Sequence, residues 1–179
     1  MNGTSFFRDL QFRAEYALLR TVVAGVRAIP LDTSTKVSAW CWRRLAPLVN
    51  PKRHQRALDN LAIAFPEKTA AERERIALAH WENLGRVMAE TMQLDRIVAD
   101  PSRIKILNGA IFARYKDKLG PIIGVSLHMG NWEMAIWPLF EAGANPGALY
   151  RSLANPYIDL SGELSFAFWL QVEPERVKT

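Results

Sequence analysis

Apolar positions in the first thirty residues recur at helical spacing. Phe6, Phe7, Phe12, Tyr16, Leu18, Leu19, Val22, Val23, Val26 and Ile29 are interrupted by Arg13, Arg20 and Arg27 at intervals of seven. A step of seven drifts only about 20° around a helix, so the three arginines line one face and the apolar residues take the others. The longest uncharged run in this stretch, residues 21–26, is six long, whereas a membrane span needs ~20 apolar residues. The pattern predicts an interfacial helix with arginines at lipid headgroups, or else an amphipathic helix packed on its own domain. No small-residue cleavage signature follows, so a signal peptide is not expected.

Helical spacing continues beyond it. Pro51 opens a helix with an apolar stripe of Leu58, Leu61 and Phe65, and Pro66 ends it. A capping box, Thr69-x-x-Glu72, begins the next, which is expected to run to about Leu94 on a stripe of Ile76, His80, Leu84, Val87 and Thr91. His80 therefore reads as a core histidine, and His54, among basic residues, as a surface one. From Arg103 the period changes: residues 103–107 read as a strand, 110–119 as a helix, 121–127 as a strand, 132–142 as a helix and 147–151 as a strand. The expected fold is α/β, an N-terminal helical layer followed by a β-α-β-α-β parallel-sheet core with right-handed crossovers. Residues 1–159 are expected to form one domain, comprising an interfacial helix (1–30), a helical layer (31–100) and an α/β catalytic part (101–159).

Charge sharpens the membrane reading. The chain has 179 residues, 49% of them hydrophobic, and a net charge of +5. Residues 1–60 hold ten Lys/Arg against four Asp/Glu, a balance of +6, and the remainder holds thirteen against fourteen. A basic segment attracts nucleic acid or anionic lipid, and because this one is also apolar it points to an anionic membrane surface and not to nucleic acid. Trp40 and Trp42 flank the single cysteine, Cys41, and precede Arg43 and Arg44. This cluster reads either as an interface belt or as core. One cysteine excludes an intrachain disulfide and a thiolate zinc cluster, and three histidines in unlike contexts give no metal site. Gly-x-Ser-x-Gly, a P-loop and a dinucleotide fingerprint are absent, which removes the usual support for hydrolase, nucleotidase and dehydrogenase readings.

The densest chemistry lies in His128-Met-Gly-Asn-Trp-Glu133. The strand expected over 121–127 would end at His128, and Gly130-Asn131 would turn the chain and cap a helix with Glu133 in its first turn. A carboxylate bonded to one imidazole nitrogen fixes the tautomer and makes the other a better base. That arrangement suits removal of a proton from an alcohol attacking a carbonyl. Backbone N–H groups at a helix start can hold an oxyanion or a phosphate. No metal or cofactor is required for proton removal by this route.

These residues also resemble the His-x4-acid motif of the bacterial lipid A biosynthesis acyltransferases, the lauroyl and myristoyl transferases within the wider glycerolipid acyltransferases. Arg56-Ala-Leu-Asp-Asn-Leu-Ala-Ile-Ala-Phe-Pro66 resembles that family's block ahead of the catalytic region, and Tyr150-Arg-Ser-Leu-Ala-Asn-Pro156 its block after it. The resemblance implies a glycerolipid acyltransferase-like fold. It implies transfer of a fatty acyl chain from a thioester, carried on acyl carrier protein, to a hydroxyl of a glycolipid at the cytoplasmic face of the bacterial inner membrane. His128 and Glu133 would be catalytic, as base and partner. Gly130, Asn131, Arg151 and Asn155 would bind substrate, with Arg151 on a phosphate or, alternatively, simply exposed at a strand end. A glycerophosphate or phosphatidylinositol-mannoside acyltransferase is the nearest alternative. Residues 160–179 depart from the family pattern, so the sheet is expected to be incomplete at its C-terminal side. An inactive membrane-associated remnant is thus a third reading.

Overall fold

A computed structural model describes residues 3–113, 125, 127, 129–141 and 153–161. They belong to two compact units, one of Val26–Gln93 and the other of Met1–Gly25 with Leu94–Thr179.

The first unit is a helical layer. Helices α2 (Leu31–Val49), α3 (Pro51–Ala64) and α4 (Ala70–Thr91) follow α1 (Gly3–Arg27), and α2 and α4 pack antiparallel along their lengths. Small residues make this possible: Ala39 and Ala46 on α2 and Ala77, Gly85 and Ala89 on α4 are all buried. A Cβ on Gly85 would stand 2.7 Å from the Ser38 carbonyl oxygen and 2.8 Å from Trp42 Cβ, so only glycine permits the helices to approach this closely. Ser38 Oγ donates to the Gly85 carbonyl at 2.7 Å across the same crossing. The side chain of Trp42 packs against the Trp81 ring, centroids 6.2 Å apart.

The ends of α4 are well satisfied. At its start the expected capping box forms: Glu72 N–H donates to Thr69 Oγ, and Thr69 N–H donates to Glu72 Oε2 at 2.8 Å. Past its end, the Arg27 guanidinium donates to the Met92 carbonyl at 2.9 Å, placing a cation where the helix dipole is negative. Gln93 is fully buried and donates to Ser34 Oγ at 2.6 Å, and Ser34 in turn donates to the Leu31 carbonyl. A buried amide with these partners satisfies the requirement that interior polar groups be hydrogen-bonded.

Two histidines exchange the roles expected of them. Val87 and Thr91 of the expected stripe are buried, but His80 is exposed, because nearer the start of α4 the buried face runs through Ala77, Trp81 and Gly85, one residue on from Ile76, His80 and Leu84. His54 is the packed one. Trp81 Nε1 donates to His54 Nδ1 at 3.1 Å, so Nε2 carries the ring proton and faces both Glu74 oxygens at 3.2 Å. The stripe shifted because alanine and glycine, weak in hydrophobicity, are what a close helix crossing selects.

The second unit overturns the expected α/β fold. Its described elements after α1 are all helical: α5 (Leu94–Val98), a 3-10 turn (Pro101–Arg103), α6 (Ala110–Ala113), a 3-10 helix (Trp132–Ile136) continuing into α7 (Trp137–Glu141), and α8 (Pro156–Ser161). No strand and no parallel-sheet core occur among the described residues, which are helical where a sheet was expected to begin. The strand expected over residues 103–107 is pre-empted locally. Asp100 accepts from Ser102 N–H at 3.0 Å, from Ser102 Oγ at 2.6 Å and from Arg103 Nε at 3.2 Å, which closes a 3-10 turn where the strand should begin. Ile104 is extended but Leu107 is 70% exposed and leads into Asn108 at φ +60°. Val125 and Leu127 are 92% and 76% exposed, the opposite of a strand covered on both faces. β-propensity reflects packing between partners, and among the described residues these two are not covered by any. The strand expected over 147–151 lies outside the described residues, as do all of the strand expected over 121–127 except Val125 and Leu127, residues 114–119 of the helix expected over 110–119, and residue 142.

Candidate active site

Glycine at 130 answers a backbone demand. Its φ is +56°, the left-handed region that residues with a Cβ avoid, and a Cβ there would meet nothing within 4 Å. The constraint is therefore conformational and not steric crowding. Asn131 follows at the N-cap position, where its carbonyl accepts from Met134 N–H at 3.1 Å while its side chain makes no capping bond. Glu133 then stands half-buried in the first turn of the Trp132–Ile136 helix. This segment thus begins as a 3-10 helix and becomes α-helical at Trp137. His128 and Arg151 lie outside the described residues.

Asn155 is 6% exposed, and its amide is already in use. Nδ2 donates to the Phe12 carbonyl and to Glu15 Oε2, both at 2.9 Å, while Oδ1 accepts from Tyr157 N–H at 3.0 Å. Tyr157, next along, donates its phenol to Asp9 Oδ1 at 2.6 Å and stacks on the Tyr16 ring. Arg13 completes the arrangement: Nε donates to Asp9 Oδ2 at 2.8 Å, and the guanidinium lies 5.3 Å over the Tyr157 ring. These contacts clasp the Asn155-Pro156-Tyr157 segment onto one side of α1.

The electrostatics of the clasp are mutually consistent. Asp9 is held below its ordinary carboxylate value, first by the Tyr157 hydroxyl and then by Arg13. Glu15 is lowered by hydrogen bonds from Gln11 and Asn155. The Tyr157 phenol is raised, chiefly because its proton is held by Asp9. Sequence reading missed the clasp. Asp9 and Arg13 stand at i,i+4 spacing and signal a helix-surface pair, but nothing in the sequence ties them to a tyrosine 148 positions away.

On its other side α1 leaves Phe7, Leu10, Leu18 and Val22 exposed at helical spacing. No helix among the described residues is long and apolar enough to cross a membrane. The heptad arginines contact protein groups, Arg13 at Asp9 and Arg27 at the Met92 carbonyl among them, so the arginine row marks the clasped side of the helix and not the apolar one. Among the described residues, no three His, Cys, Asp or Glu side chains are grouped as metal ligands.

A family model described as bacterial lipid A biosynthesis acyltransferase matches residues 8–161. No curated protein and no solved structure matches the chain.

Proposed function

The chain belongs to the bacterial lipid A biosynthesis acyltransferase family, and from that premise we propose that it moves a fatty acyl group from acyl carrier protein to a hydroxyl of a lipid A precursor. Acyl transfer in lipid A synthesis is what the family does. The donor, the residues and the membrane face are the proposal.

In this reading His128 takes the proton of the acceptor hydroxyl as its oxygen attacks the thioester carbonyl. The C–O bond forms, a tetrahedral oxyanion develops, and its collapse breaks the C–S bond, the carrier thiolate taking the proton back from His128 to leave as the thiol. Glu133 orients the imidazole and balances its charge once protonated. Gly130 and Asn131 form the turn that brings Glu133 into the first helical turn, and Arg151 holds a phosphate of the acceptor. Asn155 has its amide committed to α1, so it acts on the reaction by fixing the segment just after Arg151. The exposed apolar side of α1 lies in the headgroup region at the cytoplasmic face of the inner membrane, which brings an insoluble acceptor and a soluble donor to one boundary.

The observation that carries this reading is the family match across residues 8–161, which takes in the His128 motif and both flanking blocks. The left-handed turn at Gly130 ahead of Glu133 supports it independently. The experiment is a transfer assay with labelled acyl carrier protein and three acceptors: a lipid A precursor, glycerol phosphate and a phosphatidylinositol mannoside. Label on the lipid A precursor is expected. Label on either of the others alone would replace the acceptor, and label on none would remove the activity.

A further inference from the structure

The outer face of α2 carries exposed side chains that the acyl-transfer chemistry does not use. Buried residues Ala39 and Ala46, with Trp42 packed on Trp81, define the side of α2 turned to α4. Diametrically opposite at 100° per residue lie Val37, Trp40, Arg44 and Leu48, all exposed, Trp40 by 61% and Leu48 by 75%. The two tryptophans of the aromatic-basic cluster therefore divide: Trp42 is half-buried against Trp81 of α4, and Trp40 is presented outward.

Charge identifies what this face fits. From Thr33 to Leu58 the chain has six Lys/Arg and not one Asp or Glu. Arg43 pairs with Glu82 of α4 at 3.3 Å, but Lys36 and Arg44 on α2 and Lys52, Arg53 and Arg56 on α3 are exposed. An apolar row with an outward tryptophan, edged mainly by cations with Asp32 at the start of α2 the nearby acid, complements a surface with an acyl interior and an anionic boundary. A second copy of the chain fits poorly, since a twofold contact through this face would oppose Arg44 and Lys36 to cations of the same face with no acid but Asp32 near them.

We propose that the outer face of α2 is an anionic phospholipid-binding surface, with Trp40 and Leu48 entering the acyl boundary while Lys36, Arg44 and the basic start of α3 meet headgroup phosphates. It is carried by a different compact unit from the apolar side of α1 and does not rest on the assignment of His128.

The test uses the full chain and vesicles of phosphatidylcholine with and without phosphatidylglycerol. Trp40→Ser with Leu48→Ser replaces two exposed side chains, so helix content and thermal unfolding should match the parent. Binding to phosphatidylglycerol vesicles should weaken about ten- to a hundredfold, the scale of withdrawing large apolar side chains from a nonpolar phase. Added salt should weaken the parent's binding. In a second arm, lipids brominated on the acyl chain should quench emission of the parent, and Trp40→Phe should abolish most of that quenching. Unchanged affinity in the double variant, or quenching that survives Trp40→Phe, overturns the proposal. So does equal binding to neutral vesicles, or a parent that is dimeric and becomes monomeric on Trp40→Ser. None of these readouts involves acyl transfer, so failure here is distinct from failure of the proposed activity.

Discussion

The Tyr157 hydroxyl donates to Asp9 Oδ1 at 2.6 Å, joining the segment that follows the Tyr150-Arg151 block to the first helix across 148 residues of chain. With Asn155 on Phe12 and Glu15, this gives α1 two distinct sides, one clasped and one apolar and exposed. The clasp thereby ties α1 to the segment that carries Asn155 and Tyr157.

Breaking the clasp should loosen it locally. Asn155→Ala removes both donors to α1 and is expected to cost roughly 1–3 kcal/mol, the usual penalty when buried hydrogen-bonding groups lose their partner. Hydrogen exchange should speed up at residues 9–16 and 153–161, while amides of α2 and α4 keep their protection. Unchanged exchange at residues 9–16 would show that the clasp does not hold α1.

The same network sets a pH window. Asp9 and Glu15 have lowered values in the folded chain, so their contribution is present above the ordinary values of 3.8 and 4.5 and is lost as pH falls through the lower folded ones. Tyr157 is raised, so its contribution is full below the ordinary value of 10.0 and is lost as pH rises through the higher folded one. Exchange at residues 153–161 should therefore accelerate at both extremes beyond the intrinsic rate change. Tyr157→Phe should remove the alkaline limb and leave an acid limb from Glu15. An alkaline limb unchanged by Tyr157→Phe would assign it elsewhere.

Two glycines in helices should respond oppositely to the same substitution. Gly85→Ala forces a methyl against the Ser38 carbonyl and Trp42, and should destabilise by about 1–3 kcal/mol as overpacking does. Gly25→Ala meets nothing within 4 Å and should be neutral or stabilising by up to about 1 kcal/mol, since alanine is the better helix former. Urea unfolding of both variants checks this, and similar midpoints for the two would contradict the close crossing of α2 and α4.

What the sequence made legible follows a physical division. Local signals were readable: the Thr69-Glu72 capping box, Pro51 at a helix start, helicity after Asn131, and the turn at Gly130 all depend on a few adjacent residues. Choices settled by tertiary partners were not. The buried face of α4 follows small residues that hydropathy undervalues. His54 is packed because Trp81 and Glu74 reach it from α4, and Asn155 faces α1 from the far end of the chain. The parallel sheet failed for the same reason, since alternating or apolar runs such as residues 103–107 name a strand only if neighbours supply the ladder. Of the His128–Glu133 motif, the turn at Gly130 and the helical placement of Glu133 were legible because both depend on adjacent residues, while His128 lies outside the described residues.

The most direct test of the acyl-transfer assignment is the initial rate of transfer from acyl carrier protein to a lipid A precursor by His128→Ala, measured beside Glu133→Ala and the double variant with folding verified for each. His128→Ala should lower the rate by about 10²–10⁴-fold, the usual size of a general-base contribution. Glu133→Ala should cost nearly as much, and the double variant should be scarcely worse than the worse single one, because base and partner act as a unit. Near-parental transfer by folded His128→Ala would contradict the assignment of the base, and additive losses in the double variant would contradict the pairing with Glu133.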